Sequence, residues 1–106
     1  MELRTLIIRY RKIGYIPKLV QDEFIIYDII EFLFKEHNIH VDALYHNMKI
    51  NDDIGYMKFR GTWTTNIGKV YSNSFYCDTY FDNPKDALFD AVKKVLPGLR
   101  FKLNIF

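Results

Sequence analysis

The sequence predicts an α+β domain, on three observations. A block of oily residues at helical spacing occupies 22–36, a run of alternating strands separated by turn residues fills 39–81, and a second helix with an explicit start signal opens at Asn83. With a strand ahead of them, these elements give the order β-α-β-β-β-α, plus a closing β if the tail pairs. The expected architecture has two layers, an antiparallel sheet of three to five strands with two helices on one face. At 106 residues the chain is the size of a single domain spanning 1–106. A hydrophobic share of 49% against 26% charged residues sets it apart from disordered chains.

Residues 3–10 (LRTLIIRY) are expected as a strand, because Leu6, Ile8 and Tyr10 alternate with Ile7 and Arg9. Ile7 blurs that period, as it would if both faces were buried. The loop RKIGYIPKL follows, broken at Gly14 and Pro17. Helix 22–36 (DEFIIYDIIEFLFKE) carries the largest apolar block in the chain. Its Asp28, Glu31 and Lys35 recur at i, i+3 and i+7 on one narrow polar stripe. Phe24, Ile25, Ile26, Ile29, Ile30, Phe32, Leu33 and Phe34 wrap the rest, more than one packed face requires, so something must cover the helix on a further side. Gln21 or Asp22 caps its start, Asp22 and Glu23 suit its positive end, and Asn38 is a stop.

Three strands come next. Residues 39–50 form a long first strand, and Asn51, Asp52 and Asp53 make the turn after it. In 55–64 the alternation is clearest: Met57, Phe59 and Trp63 point to the core, and Tyr56, Lys58, Arg60, Thr62 and Thr64 point away. Asn66-Ile67-Gly68 turns the chain into 69–81, where Tyr71, Phe75, Cys77 and Phe81 share the core face and Tyr76 and Tyr80 the open one. The last helix, 83–96, begins with Asn83 as N-cap, Pro84 at the first helical position and Asp86 placed to reach back to the cap. Leu88, Ala91, Val92, Val95 and Leu96 form its core stripe, and Pro97-Gly98 is its expected end. The remaining LRFKLNIF alternates as a strand or an apolar flap would. The expected core contains Trp63, Phe59, Met57, Phe75, Leu88, Val92 and Ile29.

Net charge is +2, unevenly spread: residues 1–20 carry a balance of +4 and residues 93–106 another +4, which leaves the middle at −6. Side by side, the two ends would make one basic patch. The longest oily run is half the roughly 20 residues a membrane span needs and contains Asp28 and Glu31, so no membrane role is expected. MELRTLIIRYRK lacks the pattern of a secretory signal, and the single Cys77 has no internal disulfide partner, which together point to the cytoplasm.

The helix, three-stranded meander and helix resemble the topology of double-stranded RNA-binding domains. In that family the start of the last helix sets lysines across phosphates. Here it reads Asp82, Asn83, Pro84, Lys85, Asp86 and Asp90, so the resemblance implies shape without RNA binding. The start Asn83, Pro84 and Ala87 directly after a sheet also resembles small phage-encoded proteins built as helix, sheet and helix, over residues 22–98. That resemblance implies an accessory protein of a phage or mobile element that acts by binding, and it transfers no site residue.

No catalytic, cofactor or metal site is expected. His40, Asp42 and His46 share one side of the first strand, but at about 3.3 Å per residue the two histidines stand roughly 20 Å apart. Cys77 shares its face with Tyr71, Phe75 and Phe81, as a buried small hydrophobe does. Asp52-Asp53 and Asp82 with Asp86 are turn and helix-start carboxylates, and the five glycines are scattered rather than gathered in a phosphate loop. A non-enzymatic binding protein remains, in one of two forms. The first contacts a protein partner, or its own copy, through Phe24, Ile26, Ile30 and Phe34 of the oily helix with Phe101, Leu103 and Phe106 of the tail. The second binds single-stranded nucleic acid on the open sheet face, where Tyr56, Lys58, Arg60, Tyr76 and Tyr80 combine ring faces with cations.

Overall fold

The computed structural model describes residues 2–18, 20–49, 55–67 and 71–103. It is an α+β fold of three helices and a three-stranded antiparallel meander, in the order α1 (Leu3–Arg11), α2 (Asp22–His37), β1 (Ile39–Lys49), β2 (Gly55–Ile67), β3 (Tyr71–Tyr76) and α3 (Pro84–Lys102). The expected turn at 51–53, Gly68 and Phe106 lie outside the described residues.

The first element is a correction: residues 3–11 form a helix rather than a strand. Leu3, Leu6, Ile7 and Tyr10 stand at i, i+3, i+4 and i+7, a helical stripe that absorbs the Ile7 spoiling the two-residue period. Leu6 and Tyr10 are fully buried in a core shared with α2 and α3. The Tyr10 hydroxyl donates to the Val92 carbonyl at 2.7 Å, tying α1 to α3 across 82 residues of sequence. This N-terminal unit is the extra cover that the oily α2 demanded. Beyond α1, Ile13 and Tyr15 are buried too, on either side of a turn at Gly14, whose φ of 103° favours glycine.

Helix α2 stops at Asn38 in the left-handed conformation (φ 54°, ψ 38°), which asparagine tolerates better than most residues. Ile25, Ile26, Ile29 and Leu33 are its buried face. In the sheet, Ile39 of β1 stands opposite Thr65 of β2 and Lys49 opposite Gly55, while Thr62 and Ile67 of β2 stand opposite Tyr76 and Tyr71 of β3. Odd-numbered residues of β2 face the helices. Gly61 is buried under α3, where a Cβ would lie 2.4 Å from the Ala87 carbonyl oxygen and 2.7 Å from the Ala91 Cβ.

Past Tyr76 the expected third strand breaks. The Cys77 amide donates to the Gly61 carbonyl, and pairing with β2 resumes only at Phe81 opposite Phe59, so residues 77–80 bulge out over Arg60 and Gly61. Helix α3 begins as the sequence implies: Asn83 Oδ1 accepts from the Asp86 amide at 2.9 Å, and Asn83 Nδ2 donates to the Asp86 carboxylate at 2.8 Å. It does not end at Pro97-Gly98 but runs on to Lys102. The apolar stripe continues through Leu99, which is buried, and that packing outweighs the amide bond lost at the solvent-exposed Pro97. Residues 99–102 are therefore helix, neither strand nor flap.

Of the expected core, Ile29 and Val92 are fully buried, and Leu88 and Trp63 pack against it partly buried. Met57 and Phe75 are corrections, 57% and 44% exposed, and Phe59 is half-buried and stands outside the core cluster. Met57 and Phe75 both sit on the helix-facing side of the sheet, but the helices cover its middle and not the far end of β2 or the β3 edge.

Candidate functional site

The polar stripe of α2 is the side that the N-terminal unit grips. The Tyr15 hydroxyl donates to the Asp28 carboxylate at 2.6 Å, and the Lys18 ammonium lies 3.5 Å from Asp28 and 3.7 Å from Glu31. Burial first, and then Asp28, push the Tyr15 hydroxyl pKa well above its ordinary value. Lys35 donates to Glu31 one turn back at 2.6 Å, which holds the Glu31 carboxyl below the usual range and the Lys35 ammonium above its own. The Phe32 ring is enclosed by Tyr10, Tyr15 and His37 with centroids 6.4, 5.5 and 5.2 Å away.

That arrangement leaves one side of α2 without cover among the described residues. Phe24, Tyr27 and Phe34 are 51%, 47% and 48% exposed. At 100° per residue they fall within about 80° of one another, on a stripe roughly 15 Å long. Ile30, half-buried, borders the stripe, the exposed Glu31 stands within it between Tyr27 and Phe34, and the Phe34 ring meets the His40 ring of β1 edge-on at 4.5 Å. Ile26 is a correction to the expected surface: it is buried in the core, because it shares the inner face with Ile29 and Leu33. Tyr27 is a surface residue that the sequence analysis does not name, although its spacing of three from Phe24 and seven from Phe34 places it on their side of the helix. Of the tail, Phe101 and Leu103 are exposed, at the end of α3, while Phe106 lies outside the described residues.

The open sheet face is organised differently from the expected stacking platform. The Arg60 guanidinium lies 4.7 Å from the Tyr76 ring centroid and 5.7 Å from that of Tyr80, and the His46 ring meets Tyr80 edge-on at 5.3 Å. The bulge at 77–80 brings Tyr80 into this group. Lys58 is ion-paired with Asp82. Tyr56 stands opposite Met48 near the far end of β2. Both cations that a nucleic acid would need are thus engaged within the protein, and the cation–π contacts already use the two tyrosine rings.

Cys77 is buried, and burial, reinforced by the neighbouring Asp90 carboxylate, pushes its thiol pKa up to about 12. A thiol so placed is a poor nucleophile. Among the described residues no three His, Cys, Asp or Glu side chains are grouped to hold a metal ion, and no helix is long and apolar enough to cross a membrane. Comparison with protein-family models, with curated proteins and with solved structures finds no match, so the surfaces themselves carry the functional argument.

Proposed function

We propose that this chain is a non-enzymatic binding protein that acts through protein–protein contact at α2, and that its first partner is a second copy of itself. The observation that carries this reading is the row of three half-exposed aromatic side chains, Phe24, Tyr27 and Phe34, on a helix whose other large apolar residues are buried or half-buried. Exposed rings grouped in this way on one helix face, with Glu31 among them, mark a contact surface on a folded domain. A second copy fits it by symmetry. In an antiparallel pair of α2 helices, Phe24 of each copy meets Phe34 of the other, as a twofold contact requires.

An accessory role of this type accords with the resemblance to small phage-encoded binding proteins. Protein contact is favoured over nucleic acid because Lys58 and Arg60 are occupied by Asp82 and by the two tyrosines. Backbone amide NMR over a dilution series tests the reading. Concentration-dependent shifts should map to residues 23–35 and the neighbouring β1 edge. Shifts confined to the sheet face, or none up to about 1 mM, contradict it.

A further inference from the structure

A cleft of ≈ 350 Å³ opens between the second half of α3 and the helix-facing side of the sheet, and it shares no residue with the aromatic stripe of α2. Its floor is apolar, built by Ile39, Val95 and Leu99, all buried. One wall is a pair of rings: Trp63 and Phe75 stack with centroids 5.3 Å apart and planes 16° from parallel. Phe75, exposed because no helix reaches the β3 edge, presents a flat apolar surface to the opening. Across from it stands Gly98, where a Cβ would meet no atom within 4 Å, so the missing side chain leaves space beside the helix.

The rim has one sign of charge. Lys94 and Lys102 line it and no carboxylate does. Among the described residues neither lysine makes an ion pair, whereas Lys18, Lys35, Lys58 and Lys93 all do. His37, also on the rim, has its pKa lowered by burial and, to a smaller extent, by the Lys102 charge, against the opposing pull of Glu36. The larger groove on the other side of α2, ≈ 420 Å³, differs on this point: Asp28, Glu31 and Glu36 line it, and its lysines are spent on the first two.

An apolar floor, a flat aromatic wall and two uncommitted cations describe the complement of one class of ligand, in a volume at the lower end of the roughly 300–1,000 Å³ typical of small-molecule sites. We propose that this cleft binds a small planar aromatic anion. The ring lies against Phe75 and Trp63 in the space beside Gly98, and the carboxylate or phosphate sits between Lys94 and Lys102. The ring accounts for the wall and the anion for the rim, and neither alone uses both.

Trp63 is the only tryptophan, so its indole N–H resonance in ¹⁵N-labelled protein reports on the cleft directly. The probes are 1-naphthoate, its neutral amide, adenosine monophosphate and octanoate. Saturable movement of the Trp63 resonance with naphthoate or the nucleotide is expected, with the amide and octanoate at least about tenfold weaker. The tighter of the two anions tells carboxylate from phosphate sources. Lys94→Ala with Lys102→Ala should weaken the better probe by roughly tenfold or more. Gly98→Leu should abolish the response while other resonances stay in place. Equal binding of the amide, an unaltered response in the double lysine variant, or no movement with either anion up to about 10 mM overturns the proposal.

Discussion

Gly61→Ala places a methyl group where α3 presses on β2. The new Cβ would stand 2.4 Å from the Ala87 carbonyl oxygen, 2.7 Å from the Ala91 Cβ and 3.0 Å from the Ala91 amide nitrogen. Two of these three atoms are backbone, so no side chain can swing aside, and the fully buried Ala87 and Ala91 leave no slack in the helix surface. Relief requires α3 to back away from the sheet by most of an ångström, which loosens the contacts of Val92 and Val95 with the core. Overpacking of this kind costs about 1–3 kcal/mol, and backbone obstruction puts Gly61→Ala at the upper end. The gain from replacing glycine inside a strand, about 0.5–1 kcal/mol, offsets only part of it. A net loss of about 2 kcal/mol corresponds to a fall of roughly 8–16 °C in melting temperature for a domain of this size. Urea denaturation followed by far-ultraviolet circular dichroism measures it. Gly98→Ala is the internal control, since its Cβ meets nothing within 4 Å and alanine is the better helix former by about 1 kcal/mol. A Gly61→Ala midpoint equal to or above that of the parent would refute the packing of α3 on β2 at this position.

Further predictions follow from single contacts. Tyr10→Phe removes the donor to the Val92 carbonyl and keeps the ring, so it should cost about 0.5–1.5 kcal/mol in chemical denaturation; no loss would mean that α1 does not dock on α3 in this way. Cys77, with its pKa near 12, should resist iodoacetamide at pH 8 in folded protein and react quickly once urea unfolds it, as read by mass spectrometry. His37 titrates below its ordinary 6.5 in the folded state, so its neutral form contributes stability that is complete above pH 6.5 and is lost as pH falls from there through the folded pKa. The urea midpoint of the parent should therefore drop more than that of His37→Gln between pH 7.5 and 5.5. In the same experiment by NMR, Lys102→Ala should raise the His37 pKa, because it removes a neighbouring positive charge.

Where one periodicity ruled a segment, the sequence disclosed its structure. Helix α2, its stop at Asn38, the capped start of α3 and the alternation of β2 are found as read, each set by local spacing or by a side chain bonding its own backbone. The N-terminal helix was hidden because LRTLIIRY satisfies two periods at once, and only the tertiary cover given by α2 and α3 selects the helical one. Pro97-Gly98 misled for the same reason in reverse: a local stop signal was outweighed by the long-range burial of Leu99. Met57 and Phe75 lie on the side of the sheet that was foreseen, but how far a helix reaches across a sheet is not written in the strand. For the surface, Phe24 and Phe34 were legible as excess apolar residues, whereas the burial of Ile26 depends on the rotation of α2 about its axis. The cleft beside α3 was invisible, since it joins residues of α2, the sheet and α3 and exists only because α3 continues past its apparent end.

The most direct test of the account is the mass of the protein in solution, measured by light scattering behind size-exclusion chromatography over a concentration series. The parent chain should rise toward twice its 12.7 kDa as concentration increases, and Phe24→Glu with Phe34→Glu should stay at the mass of one chain with an unchanged circular dichroism spectrum. A parent that remains a monomer throughout, or a double variant that pairs as readily as the parent, would contradict the assignment of the α2 stripe as the surface through which this protein binds.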